Sequence, residues 1–169
     1  MCTPDFFSPA CENGERVIIT DRAQLLSITP EQVKKIKFLR IENQVIDDDF
    51  YRFWKKLFKK DFYYLSFISC TFPVVTGIFC GMIVQNLEVI DCGIDEDDAY
   101  DIIHGVDPYR INYLSLANNS LSDKEGELFS LFEHYVSGAW SATIDFRGNC
   151  LNDKFKSSSL QWTSLTFYW

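Results

Sequence analysis

Histidine is scarce: His104 and His134 are the only two in 169 residues. Neither stands at zinc-ligand spacing from a cysteine, no Cys-x-x-Cys pair exists, and neither lies in a recognised nucleophile motif. Both fall in helical segments among apolar neighbours, where a structural histidine is the ordinary reading. Gly77–Gly81 is not followed by Gly-Lys-Ser/Thr, so it is not a phosphate loop. The acidic runs 47–49 and 95–98 lack the glycine and terminal glutamate of a calcium loop. The chain therefore reads as non-enzymatic, with no cofactor, no metal and no catalytic residue. Basic residues are also in deficit, 16 Lys and Arg against 24 Asp and Glu, for a formal charge of −8. The one basic run, Lys55, Lys56, Lys59 and Lys60, sits on an amphipathic segment and reads as its solvated face. No basic patch is interleaved with aromatics as direct nucleic-acid binding requires. No apolar run approaches the roughly 20 residues that cross a bilayer, and Met1–Arg16 holds no stretch of signal-peptide length. An intracellular chain, cytoplasmic or nuclear, with free thiols follows as the expectation. A Cys2–Cys11 disulfide would fit a secreted alternative.

What the sequence does contain is a repeat. The pattern L-x-x-L-x-L-x-x-N/C-x-L, filled with assorted large apolar residues, recurs along the chain. Its copies hold Leu39, Ile41, Gln44 and Ile46; Leu65, Phe67, Cys70 and Phe72; Leu87, Val89, Cys92 and Ile94; then Leu114, Leu116, Asn119 and Leu121. A fifth copy has Ile144, Phe146, Asn149 and Leu151, and a sixth begins at Trp162, Leu165 and Phe167. Equivalent leucines lie 21 to 30 residues apart, and all of that variation falls between the patterns. Alternation within each copy is the period-two signature of a strand buried on one face. The Asn or Cys then turns inward to satisfy backbone groups where the chain leaves the strand. Gln44 fits worst and predicts a distortion in the first copy.

The intervening segments carry helical spacing. Residues 47–60 place Phe50, Phe53, Trp54, Leu57 and Phe58 on one face, with acids opening and lysines closing the segment. Residues 95–106 bury Ala99, Ile102 and Ile103, and residues 123–136 bury Leu128, Leu131, Phe132 and Tyr135. The apolar run 73–82 predicts a buried helix with Pro73 at its first position and Cys80 inside it. Thr29-Pro30-Glu31-Gln32 is a helix start, and Val17–Thr20 a short capping strand. Residues 1–35 are thus an arm and cap, and 36–169 about five full repeats plus a terminal strand. Asn118-Asn119-Ser120 matches a glycosylation acceptor, but a strand exit makes it inaccessible.

The runs Leu114-Ser-Leu-Ala-Asn-Asn-Ser-Leu-Ser-Asp-Lys-Glu-Gly-Glu-Leu-Phe-Ser-Leu-Phe and Ile94-Asp-Glu-Asp-Asp-Ala-Tyr-Asp-Ile-Ile resemble repeats of ribonuclease-inhibitor-like leucine-rich-repeat proteins. The resemblance covers about residues 36–169 and implies an α/β fold. It would be a right-handed solenoid, a short horseshoe arc with a parallel concave sheet and convex helices. The family includes inhibitors, GTPase activators, actin-filament caps and immune sensors, so the fold alone does not select a function.

Alternation also places side chains on the concave face: Arg40 and Glu42, Tyr64 and Ile68, Glu88 and Ile90, Tyr113 and Ala117, Asp145 and Arg147. Aromatic and apolar residues lie in the middle and charges at both ends, as in a protein-binding hot spot. The expected function is a module that binds a protein partner through this face, with no membrane contact. The alternative is a permanent subunit of a large assembly, held through its open end or helices, because the last copy ends on a bare strand at Trp169.

Overall fold

A computed structural model of the chain describes residues 14–48, 50–51, 61–73, 77–122, 126–137 and 140–169. Its centre is a single all-parallel sheet of seven strands in sequence order: β1 (Glu15–Ile19), β2 (Ile36–Glu42), β3 (Asp61–Ile68), β4 (Ile83–Ile90), β5 (Tyr113–Ser115), β6 (Ala142–Asp145) and β7 (Leu165–Tyr168). The capping strand is real, and it belongs to the same sheet. Val17, Leu39, Leu65, Leu87, Leu114 and Ile144 lie side by side in register. The five from Leu39 to Ile144 are at most 1% exposed. At β7 the register departs from the repeat spacing. Ile144 pairs with Phe167, and Leu165 with Ala142. A two-residue slip keeps every side chain on its own face, so the apolar pattern cannot choose between the two alignments.

Helices lie in most of the connections. α1 (Arg22–Ser27) and α2 (Pro30–Lys35) both open with capping boxes, Asp21 with Gln24 and Thr29 with Gln32. α3 (Glu96–Gly105) is capped by Asp95 and buries Ala99, Ile102 and Ile103. α4 (Glu127–Ser137) buries Leu128, Leu131, Phe132 and Tyr135. A short α5 (Asp153–Ser159), capped by Asn152, buries Phe155. Its seven residues are too few for a helical period to stand out in the sequence. Of the segment 47–60, residues 48, 50 and 51 are helical. Asp47 accepts from the Phe50 amide (3.0 Å) and pairs with Arg22 (2.9 Å). Residues 49 and 52–60, with Phe53, Trp54, Leu57, Phe58 and the four lysines, lie outside the described residues.

The apolar run 73–82 does not form the expected helix among its described residues. Gly77 and Gly81 both have positive φ, 83° and 74°, and turns lead into a bridge at Met82. Ile78, Phe79 and Met82 are buried all the same. Burial of an apolar run therefore needs no helix here, and Cys80 is exposed in the turn instead of packed inside.

Each of strands β2 to β6 ends alike. One residue turns left-handed: Asn43, Ser69, Asp91, Asn118 and Gly148, with φ between 50° and 74°. At the last of these a Cβ would lie 2.0 Å from Asn118 Oδ1, so only glycine fits. The next side chain reaches back to a carbonyl of the preceding strand. Cys70 Sγ donates to Ile41 O (3.5 Å), Cys92 Sγ to Phe67 O (3.6 Å), Asn119 Nδ2 to Val89 O (2.7 Å) and Asn149 Nδ2 to Leu116 O (2.8 Å). Hydrogen bonding to Cys70 and burial push the Cys92 thiol up, so it stays a protonated donor. Gln44, one methylene longer, reaches Thr20 O (2.9 Å), one residue beyond the carbonyl equivalent to the others. The misfit is absorbed by the side chain, and Asn43 keeps the common backbone turn.

Toward β7 the core becomes aromatic. The Phe132 ring lies within 6.2 Å of Trp140, Phe146, Phe155, Trp162 and Phe167. Among the described residues no helix is long and apolar enough to cross a membrane.

Asn119 also accepts from the Cys92 amide (2.9 Å), so leucine there would orphan groups on two neighbouring turns. Asn119→Leu is expected to lower stability by about 1–3 kcal/mol, measured by thermal or urea unfolding. An unchanged midpoint would remove the ladder from the list of stabilising interactions.

Candidate binding face

The sheet has two faces. One packs with the helices in the apolar core. The other is lined by three registered rows. Phe38, Tyr64, Asn86, Tyr113 and Thr143 form the first, and Arg40, Ser66, Glu88, Ser115 and Asp145 the second. Glu42, Ile68 and Ile90 form the third. Ala117 and Arg147 continue it past the strand ends, where Asp91 N donates to Ala117 O (3.1 Å) and Asn118 N to Arg147 O (2.8 Å). Of the ten residues expected on this face, eight stand in these rows on the strands, and Ala117 and Arg147 follow just past the ends of β5 and β6.

Their exposure differs from the expected hot spot. Tyr64 is 3% exposed, Tyr113 7%, Glu88 8% and Asp145 2%; Ala117 is also buried. Arg40, Glu42, Ile68 and Ile90 are half-buried, and Arg147 is exposed. The tyrosines serve as hydroxyl donors to carboxylates rather than as projecting anchors. Tyr64 Oη donates to Glu88 Oε2 (2.5 Å), and Ser66 Oγ donates to the same oxygen (2.9 Å). Tyr113 Oη lies 3.4 Å from Asp145 Oδ2. The two groups are copies of one device: Tyr-Leu-Ser on one strand and an acid on the next, opposite the serine. The tripeptide occurs at 64–66 and 113–115. That identity was a visible signal, but pairing it with Glu88 and Asp145 requires the strand register.

Charge pairs flank the middle. Arg147 binds Asp145 through both Nε (2.9 Å) and Nη2 (2.6 Å), and its guanidinium lies 5.7 Å from the Tyr168 ring centre. Arg40 Nε pairs with Glu42 Oε1. Burial, then the Glu88 charge, raises the Tyr64 phenol well above its ordinary value. Burial, then Asp145, pushes Tyr113 up to about 12. Both phenols therefore remain neutral donors.

On the helix side, α3 and α4 border a groove of about 760 Å³ lined by Asp97, Asp101, Glu127 and both histidines. His104 stacks on Tyr100 (5.8 Å, 18°), and its Nδ1 lies 3.2 Å from Tyr135 Oη. Both histidines are exposed, as surface structural histidines would be. Asn118, the acceptor of the glycosylation match, is exposed as well, because its left-handed turn swings it out of the strand exit. Cys150 is exposed, and Cys70 and Cys92 are free thiols. Cys2 and Cys11 lie outside the described residues.

The Tyr113 shift has a definite sign. A folded-state pKa above the usual 10.0 contributes stability that is full below pH 10 and is lost as pH rises through about 12. Tyr113→Phe should flatten the fall of melting temperature over that alkaline interval relative to the parent. Parallel curves for the two proteins would show that Tyr113 ionises as freely when folded as when unfolded.

No family model, no curated protein and no solved structure matches this chain.

Proposed function

We propose that the chain is a right-handed leucine-rich-repeat solenoid of the ribonuclease-inhibitor-like type. On this reading it is a non-enzymatic, intracellular module that binds a protein partner through its concave sheet. Sequential parallel strands, a left-handed residue at the exits of β2 to β6 and the Cys/Asn ladder support the repeat assignment. Right-handed crossovers are the rule for parallel strands joined this way. The observation that carries the function is the third row. Ile68 and Ile90, half-buried, and then Ala117 run across adjacent strands between Glu42 and Arg147. An apolar strip with charged ends is what a protein interface uses. No membrane or direct nucleic-acid role is included in the proposal.

A second reading, a permanent subunit of a large assembly, draws on apolar exposure at the two edges of the sheet. Ile18 is 49% exposed near one edge, and Tyr168 and Trp169 are 40% and 38% exposed at the other.

The two readings separate in one experiment. Native partners are recovered on the tagged parent protein, identified by mass spectrometry and sized. Affinity is then compared for the Ile68→Asn/Ile90→Asn double variant, which alters the strip without altering charge. The expected loss is about 2 kcal/mol, or roughly thirtyfold, with unchanged circular dichroism. Undiminished binding by the folded double variant would discard the face. If Tyr168→Asp instead released a fixed-stoichiometry complex, the subunit reading would replace it.

A further inference from the structure

Charge on this face is neutralised strand by strand, with one exception. Arg40 pairs with Glu42, and Asp145 with Arg147, each two residues along its own strand. β4 puts Glu88 in the same row as Arg40 and Asp145, yet the residue two positions on is Ile90. Glu88 is only 8% exposed. Its Oε2 accepts from Tyr64 and Ser66, while among the described residues Oε1 accepts no hydrogen bond and neither oxygen has an ion-pair partner. A carboxylate removed from water without a counter-cation is costly, and its other oxygen is a vacant acceptor. The two hydroxyls fix its orientation and cannot neutralise it.

In the next row of the same face stand Ile90, two positions along β4 from Glu88, and its register partner Ile68, both half-buried. An apolar strip next to a lone acid matches a long basic side chain, whose methylenes cover the strip while its head group donates to the carboxylate. The chain's net charge of −8 favours approach of a basic partner. We propose that Glu88 is the seat for a lysine or arginine side chain presented by a protein partner. Asp145 is not a second seat, because Arg147 already occupies it. The proposal rests on the reading of this face as the interface and adds the chemistry of its central contact.

The test uses the full chain and an array of nine-residue peptides with randomised flanks and a fixed central Lys, Arg, acetyl-lysine, citrulline or Leu. The parent should retain Lys or Arg peptides at least about tenfold more tightly than their neutral counterparts, a difference of about 1.4 kcal/mol. Glu88→Gln keeps an oxygen for Tyr64 and Ser66, and should abolish that preference while raising the melting temperature. Ile90→Arg supplies the cation from within, as Arg147 does for Asp145, and should do both as well. A preference that survives Glu88→Gln, or a lower melting temperature in that variant, overturns the proposal. Capture that ignores the central charge but is lost in Ile68→Asn/Ile90→Asn would remove the seat and leave the face as the interface. No capture of any peptide, or capture indifferent to every one of these substitutions, would remove both.

Discussion

The backbone at the strand exits is the constraint on which the rest of this structure depends. A parallel strand that turns out of its sheet leaves amides and carbonyls pointing at the next turn of chain, partly buried and in need of partners. Side chains close that gap here. Asn119 and Asn149 each both donate and accept: Asn119 takes the Cys92 amide, and Asn149 takes the amides of Asn119 and Leu121. Cys70 and Cys92 donate through their thiols to Ile41 O and Phe67 O. With those groups satisfied, successive strands hold their register, and the leucine row and the second face both follow from it.

Register turns scattered polar residues into a site. Tyr64, Ser66 and Glu88 come from two strands more than twenty residues apart, and the same arrangement returns with Tyr113, Ser115 and Asp145. Hydroxyls held against carboxylates let the second face be buried while remaining polar. The ion pairs Arg40–Glu42 and Asp145–Arg147 need only residues two apart on one strand, so they arise from local sequence alone. Glu88 differs because its strand offers Ile90 in the cation's place.

Sequence and structure agree where a periodic pattern is long and differ where it is short. The leucine rows, the Asn/Cys ladder and the helices α3 and α4 were legible because several residues repeat one spacing. The run 73–82 was misjudged because apolar content measures burial and not backbone conformation; Gly77 and Gly81 decide the turn. The two-residue slip at β7 was invisible because either alignment keeps the same residues inside. α5 was missed for lack of length, and the exposure of Asn118 because a left-handed residue at a strand exit leaves little trace in composition.

By itself the sequence determined which residues alternate inward, where strands end, and that the sheet is parallel. Each of these follows from local periodicity and from the polar requirements of a buried backbone. It also determined which ten residues share the second face. Only the tertiary structure decided how deeply they sit and which of them are paired. Both depend on contacts between neighbouring strands, and a chain read in one dimension does not contain that distance. The tyrosines that looked like projecting anchors therefore proved to be buried donors, and Glu88, which looked like one charge among several, proved to have no ion-pair partner among the described residues.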